Sequence, residues 1–315
     1  MISQLTSPRV LRSLLPAFSL TVILLAIFYL QPRAMSYFGL NLLLNLALPI
    51  AFATLAQMCV ITVNDLDLGI GAFVGFVACV GATWLNDQPL FGLFILAISI
   101  CAYGALGALI HLRNLPSIVV TLGMSFVWLG LALLVLPTPG GKAPEIVAAV
   151  MKFKTPIMPM TIYASIAIAL IVHVALKRSA YGVVLRGVGG NPQSVERASW
   201  SLIRAKVTMY AMAGFFGVMS GISLIGLTSA ADANIALRYT LLSIAGVILG
   251  GGEFVGGRIS PIGAVLGAIT LTLAGSFLSF LRISPDWQIG AQGAILIIVL
   301  ALRTLINRSE ARKLG

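Results

Sequence analysis

Three polar side chains, Asn64, Asp65 and Asp67, stand between two apolar segments of this 315-residue chain. A carboxylate at the centre of a membrane helix costs roughly 2.5–3.5 kcal/mol even on the most lenient insertion scale. The group is therefore expected at a membrane face or at a break inside a helix bundle, where carboxylates can line a solute pathway or carry a coupling ion. Gly69 and Gly71 follow directly and favour an irregular backbone. An ordinary cytoplasmic turn is the alternative interpretation.

A glycine-rich segment, residues 250–258, interrupts a short apolar run in the second half of the chain. In membrane transporters, paired glycine-broken segments in corresponding halves point to the translocation pathway. The predicted pathway residues are Asn64, Asp65, Asp67, Gly250, Gly251 and Glu253.

The longest polar segment contains the signature of a short helix. Asn191 can cap it, and Pro192 suits the first helical position. Val195, Ala198 and Leu202 then fall on one apolar stripe. A small amphipathic helix of this kind is typical of docking onto a soluble partner. A solvated loop lying on lipid headgroups is the alternative interpretation.

The sequence lacks the residue patterns that covalent or metal chemistry requires. Its two histidines, His111 and His173, stand alone at the ends of apolar runs, and its three cysteines have no metal-ligand spacing. The glycines at 187–190 lack the following Lys-Ser/Thr of a phosphate loop. We therefore predict no catalytic residue, no metal and no cofactor. Energy for active transport would have to come from an ion gradient or from another subunit.

Composition identifies the class of protein. Hydrophobic residues make up 59% of the chain and charged residues only 9%, whereas soluble proteins carry roughly 25% charged residues. The net charge of +11 does not indicate nucleic-acid binding, because the basic residues sit at the ends of apolar runs without interleaved aromatics. Continuous apolar runs, instead of period-two alternation, exclude a membrane β-barrel. The chain is predicted to be an all-α polytopic membrane protein.

Ten apolar runs are candidates to span a bilayer, for which about 20 residues suffice. They are residues 14–30, 40–63, 68–85, 89–110, 117–136, 159–176, 207–227, 239–250, 261–281 and 288–302. The first run resembles a signal peptide but lacks a clear cleavage site, so an uncleaved first helix is expected.

The distribution of positive charge predicts the orientation. With the N-terminus inside, fourteen of the 20 Lys and Arg residues lie inside and six outside, which favours two cytoplasmic termini. Five spans per half would make the halves enter the membrane in opposite directions, as two inverted five-helix repeats. The predicted organisation is a cytoplasmic segment 1–13, one membrane domain 14–306 with a cytoplasmic loop 177–206, and a cytoplasmic tail 307–315.

Several motifs, in order, resemble those of the ribose-type permease subunits of bacterial ABC importers, which include permeases for ribose, xylose, arabinose and galactose. They are Val-Val-Thr-Leu-Gly-Met at 119–124, Tyr-Gly to Gly-Gly-Asn-Pro at 181–192, Val-Ile-Leu-Gly-Gly at 247–251 with Gly-Gly-Arg at 256–258, and Ser-Pro-Asp-Trp-Gln at 284–288. The resemblance covers roughly residues 40 to 306.

The resemblance implies a subunit that hydrolyses nothing itself. ATP-binding cassette subunits would supply energy, a second permease subunit, alike or paralogous, would complete the pore, and a periplasmic binding protein would deliver a sugar or similar small polar solute. The location would be a bacterial inner membrane. The implied coupling residues are Gly189, Gly190, Asn191, Pro192, Val195, Glu196, Arg197, Ala198 and Leu202.

Two departures from the family pattern weaken the sugar assignment. Asn64 and Asp65 replace a glycine pair, although Asp67 keeps the family's acid, and Thr240 and Leu242 stand where the family often has Glu and Asp. A divergent partner in a two-permease pore and a different small polar solute are both compatible with this pattern. The competing hypothesis is a secondary transporter that uses Asp65 or Asp67 as its ion-coupling acid.

Overall fold

The computed structural model describes residues 8–254 and 256–284, together with a few positions between 287 and 297. Within these residues the chain is helical and contains no β-strand beyond one isolated bridge between Gly140 and Ala231. The helices are α1 (Pro8–Leu30), α2 (Tyr37–Leu44), α3 (Ala47–Thr62), α4 (Ile70–Ala82), α5 (Trp84–Asp87), α6 (Pro89–Leu112), α7 (Ser117–Val135), α8 (Glu145–Met151), α9 (Met160–His173), α10 (Ala180–Gly190), α11 (Pro192–Arg197), α12 (Leu202–Thr228), α13 (Tyr239–Leu249) and α14 (Pro261–Phe280). A 3-10 turn at Pro32–Met35 follows α1, and a π-helical turn at Val174–Arg178 extends α9.

Seven helical stretches of the described chain are long and apolar enough to cross a membrane. They are Tyr37–Thr62, Ile70–Asp87, Pro89–Leu112, Ser117–Val135, Met160–Arg178, Leu202–Thr228 and Pro261–Phe280. Two shorter apolar helical stretches are Pro16–Leu30 and Tyr239–Leu249. The predicted run 288–302 lies outside the continuously described residues, as do residues 1–7 and the C-terminal tail. The all-helical, multi-pass prediction is confirmed, whereas the count of ten is not.

Helix α12 lies at the centre of the bundle, where it packs along α6, α3 and α4. Two glycines four residues apart make the α4 contact possible. A Cβ atom added at Gly217 would lie 2.6 Å from the Phe73 ring, and one at Gly221 would lie 2.5 Å from Val77 Cγ1. Small residues at this spacing let membrane helices approach closely, so that dispersion contacts replace the missing hydrophobic drive between helices in lipid.

An aromatic cluster fastens α6 and α7 to α4. The Phe73 ring centroid lies 4.4 Å from that of Tyr103 and 4.9 Å from that of Trp128, both in tilted arrangements. Tilted aromatic pairs are favoured because the positive edge of one ring meets the negative face of the other. The cluster also positions the Tyr103 hydroxyl, which serves the site described below.

Helices α3 and α12 run antiparallel. Lys206, in the first turns of α12, forms an ion pair with Asp65, three residues beyond the end of α3, with Nζ 2.8 Å from Oδ2. The C-terminal ends of the two helices therefore lie at opposite ends of the bundle.

The same turn follows both of these helices. After α3, Asn64 is left-handed with φ 61°, and after α12, Ser229 is left-handed with φ 65°. An aspartate follows three residues later in each turn, Asp67 in the first and Asp232 in the second. The Oδ1 atom of each aspartate accepts a hydrogen bond from the backbone amide two residues further on, at 2.7 Å for Asp67 and 2.6 Å for Asp232. A turn repeated at opposite ends of antiparallel helices is what two inverted repeats would produce.

Candidate functional site

Three segments meet beyond the C-terminal end of α3, and we call this contact the three-way joint. It consists of the turn at Thr62 and Asn64, the end of α10 at Gly189, and the loop between α13 and α14 at Gly256 and Gly257. Asn64 Nδ2 donates to the Gly189 carbonyl at 2.7 Å. The Gly256 amide lies 3.2 Å from both Asn64 Oδ1 and the Gly189 carbonyl. One amide side chain thus links segments that are far apart in sequence.

The left-handed backbone at Asn64 explains a departure from the ribose-type pattern, which has glycine there. A φ of 61° is accessible to glycine without penalty and to asparagine more readily than to most other residues. Asparagine therefore keeps the turn and adds the amide group that makes the two side-chain hydrogen bonds of the joint.

At Gly189 the main chain of α10 directly contacts the main chain of two other segments. A Cβ atom added there would lie 2.1 Å from the Thr62 carbonyl oxygen and 2.9 Å from Gly257 Cα. Gly257 itself has φ 61°, and a Cβ atom on it would lie 2.0 Å from the Arg186 carbonyl oxygen. No other residue type fits either position without moving a main-chain segment.

Asp65 connects the joint to the central helix. Its Oδ2 is paired with Lys206 and also accepts a hydrogen bond from Tyr210 Oη at 3.2 Å. The Asp65 and Lys206 side chains are only 10% and 17% exposed. In such a desolvated pair, removal of one partner leaves an uncompensated charge, so the pair holds the turn onto α12.

Asp67 is 1% exposed and serves as an internal hydrogen-bond acceptor. Tyr103 Oη donates to its Oδ2 at 2.9 Å, and the Gly69 amide donates to its Oδ1 at 2.7 Å. Burial raises the pKa of Asp67 to about 6, and the hydrogen bonds from Gly69, Tyr103 and the Ile70 amide oppose that rise. Its burial agrees with the expected place at a break inside the helix bundle, whereas Asn64, which was predicted with it, is exposed.

The short helix of the polar segment is present, but it is shorter than the sequence predicted. Asn191 caps α11, its Oδ1 accepting from the Ser194 amide at 3.1 Å, and Pro192 occupies the first turn. The helix ends before Ser199, whose φ of 62° turns the chain, and Leu202 already belongs to α12. The predicted single helix from 191 to 202 is therefore wrong.

The predicted apolar stripe is divided as a result. Val195 is 8% exposed and packs onto α10, where a Cβ atom added at Gly187 would lie 3.0 Å from its Cγ2. Leu202 is half-buried, and only Ala198 of the three is exposed. The side that faces solvent is formed by Gln193, Glu196, Arg197, Ala198 and Trp200.

Residues 39–300 match the family described as branched-chain amino acid transport system / permease component. The chain belongs to this permease family. It is 26% identical over 312 residues to the galactose/methyl galactoside import permease protein of Escherichia coli K12, with 91% of this chain and 92% of the relative covered. It is 30% identical over 298 residues to the autoinducer 2 import system permease protein of Yersinia pseudotuberculosis, with 90% and 81% covered. No solved structure gives a significant match.

The pathway residues predicted in the second half of this permease are Gly250, Gly251 and Glu253, and they lie beside the three-way joint. Gly250 packs against α14, since a Cβ atom on it would lie 2.3 Å from the Gly263 carbonyl group. Gly251 has φ 90°, and Glu253 pairs with Arg258 at 3.2 Å. The glycines that complete the joint are Gly256 and Gly257, which the sequence had marked only as part of a motif.

Sequence reasoning also missed Tyr103, Lys206, Tyr210 and Trp200. The first three are partners of acids 36 or more residues away, and no local pattern reveals such a pairing. Trp200 did carry a signal, because an indole beside a capped helix in the polar segment is unusual for a solvated loop, and it is 46% exposed.

We predict that Gly189→Ala will destabilise the permease by about 1–3 kcal/mol, the usual cost of overpacking, because Thr62 and Gly257 are backbone and cannot rotate away. The measurement is thermal unfolding of the purified protein in detergent. Gly190→Ala is the matched control, because a Cβ atom there would lie 3.4 Å from its nearest neighbour, the Gly256 carbonyl oxygen. Equal melting temperatures for the two variants would contradict the close contact at the joint.

Proposed function

We propose that the chain is the membrane-spanning permease subunit of a binding-protein-dependent ABC importer. It would move a sugar or similar small polar solute by alternating access. Two relatives are named as import permeases, one for galactose/methyl galactoside and one for autoinducer 2. Separate ATP-binding cassette subunits would hydrolyse ATP, and the chain itself would catalyse nothing. A binding protein would deliver the solute, and a second permease, alike or paralogous, would complete the pore.

The family match over residues 39–300 carries this proposal, and the three-way joint supports a mechanism for it. A partner that displaces α11 must move the adjoining end of α10 and with it Gly189. Because Gly189 touches Thr62 and Gly257 without intervening side chains, the displacement reaches α3 and the α13–α14 loop directly. Close-packed segments transmit such displacements as rigid-body shifts.

The ion-coupled alternative has no support among the described residues. Asp65 is already paired with a fixed cation, Lys206, and Asp67 is satisfied by Tyr103 and Gly69. Both acids are better explained as structural residues that attach the turn after α3 to neighbouring helices. The assignment of these acids to the translocation pathway stays a prediction, as does that of Asn64, Gly250, Gly251 and Glu253.

Uptake into proteoliposomes separates the two energy sources. We expect labelled-solute uptake by the complex of permease, ATPase and binding protein to require ATP and to persist when ionophores collapse the proton and sodium gradients. The binding protein first identifies the solute in a screen of sugars and related polyols. Uptake that runs without ATP and stops with the ionophores would establish the ion-coupled alternative instead.

We further propose two inverted halves of about five helices each, with both termini cytoplasmic and the multi-pass chain in a bacterial inner membrane. The repeated turn after α3 and α12 supports the inversion, and the excess of basic residues on one side supports the orientation.

Cysteine labelling of intact cells tests this orientation, in a Cys101→Ser background because Cys101 is exposed. A membrane-impermeant maleimide should label Lys142→Cys, whose native side chain is 72% exposed, and should label Gln193→Cys only after permeabilisation. The reverse pattern would place α11 outside and remove the basis for coupling.

The coupling surface is proposed to be the solvent-facing side of α11 and the turn after it. Trp200 is the most prominent group there, 46% exposed and 6.0 Å from the Tyr181 ring. Partly exposed Trp side chains often supply much of the binding energy at interfaces. Val195 belongs to the stripe that was predicted to dock, but its side chain is already buried against α10 and is not offered to a partner.

Ala198→Glu should weaken retention of the ATPase subunit by roughly 10-fold, because an unpaired charge at the contact must be desolvated. Ala198→Gln has nearly the same size without the charge and should retain more of the ATPase. Co-purification and solute uptake are measured together, with thermal unfolding as the folding check. Normal retention and normal uptake by Ala198→Glu would favour the solvated-loop interpretation of this segment.

A further inference from the structure

An open cleft of about 810 Å³ lies between α10 and the loop that joins α13 to α14. Three cationic side chains, Lys177, Arg186 and Arg258, line this cleft together with one carboxylate, Glu253. The remaining wall is largely glycine backbone, with an apolar patch at Val183. We call it the basic cleft.

Charge in the basic cleft is not balanced within the described part of the chain. Glu253 Oε2 lies 3.2 Å from Arg258 Nη1, so these two charges are paired. Lys177 and Arg186 are half-buried, and neither forms an ion pair with a described carboxylate. Arg186 Nε donates only to the Gly182 carbonyl, at 3.3 Å. Two partly desolvated cations facing one cleft repel each other, and an anion between them would remove that repulsion.

The position of the cleft indicates which anion it takes. Lys177 lies in the last turn of the span Met160–Arg178, Gly250 follows α13 directly, and Ser260 caps α14. The cleft is thus built from the ends of apolar helices, at the depth where a bilayer places its headgroups. No residue of α11 lines it, so a protein docked on α11 would not fill it.

We propose that the basic cleft binds the headgroup of an anionic phospholipid. The phosphate would lie between Lys177 and Arg186, and the first acyl carbons would lie along Val183, which is 57% exposed. Basic pockets between membrane helices are a recognised form of lipid site. The proposal needs only that the chain spans a bilayer, and it holds whichever solute is carried.

The test is native mass spectrometry of the purified full chain titrated with phosphatidylglycerol, phosphatidylcholine or inorganic phosphate. Phosphatidylglycerol should bind more tightly than phosphatidylcholine, and the double variant Lys177→Gln/Arg186→Gln should lose that preference by roughly 10-fold or more, since each cation near the surface contributes to anionic-lipid binding. Added salt should weaken the wild-type preference, because the interaction is between partly exposed charges.

Two control variants make the result interpretable. Arg204→Gln removes an exposed cation that does not line the cleft, and it should bind lipid as the wild type does. Lys177→Arg/Arg186→Lys keeps both charges and should restore binding, which separates a lost site from a misfolded protein.

Three outcomes would overturn the proposal. One is equal retention of phosphatidylglycerol by the wild type and the charge-removing double variant. Another is displacement of phosphatidylglycerol by inorganic phosphate at equal concentration, which would indicate a site for free anions. The third is a double variant that keeps the lipid but no longer retains the ATPase subunit, which would make the cleft a protein-docking surface. The first two outcomes do not depend on whether the chain transports a solute, and the third is read only where an ATPase subunit co-purifies with the wild type.

Discussion

Direct backbone contact at Gly189 is the constraint on which the organisation of this permease depends. Where membrane helices end, main-chain N–H and C=O groups lose their helical partners and must be satisfied by other groups. The chain meets this requirement by bringing three irregular segments to one place. The Asn64 amide and the glycine backbones then bond to each other. A side chain at Gly189 would separate them and expose the groups that they satisfy.

The acidic residues near the joint follow the same rule. Asp65 is neutralised by Lys206, and Asp67 is surrounded by hydrogen-bond donors. Each acid thereby attaches the turn after α3 to a different helix, Asp65 to α12 and Asp67 to α6. The cost of placing a carboxylate in a membrane bundle is offset by these partners, and the turn becomes a rigid part of the structure. Rigidity here suits the proposed role of this turn in transmitting movement from a partner subunit.

The two ends of the bundle are related but not equivalent. The turns after α3 and α12 share a left-handed residue and an aspartate at the same spacing. The turn after α3 meets the end of α10 and the α13–α14 loop, whereas the turn after α12 bonds to the loop at Gly140 and Ala143. The local turn is thus repeated, whereas the joint and the basic cleft lie at the end where the longest polar segment adds α10 and α11.

The sequence by itself determined the features that depend on local composition. Apolar runs indicated membrane helices, and Asn191-Pro192 indicated a helix start, because each signal acts within a few helical turns. The sequence also singled out Asn64, Asp65 and Asp67, since unpaired polar groups are costly in lipid.

Only the tertiary structure decided what these residues touch. The partners of Asp65 and Asp67 and the contact of Gly189 with Gly257 join positions tens to more than a hundred residues apart. Val195 is buried against the neighbouring helix α10. The pattern of one segment carries no information about the distance to another, because that distance is set by how all the helices pack together. The apolar stripe at 195–202 was misjudged for this reason: a stripe shows that one face will be buried, and the packed chain decides whether it is buried against itself or against a partner.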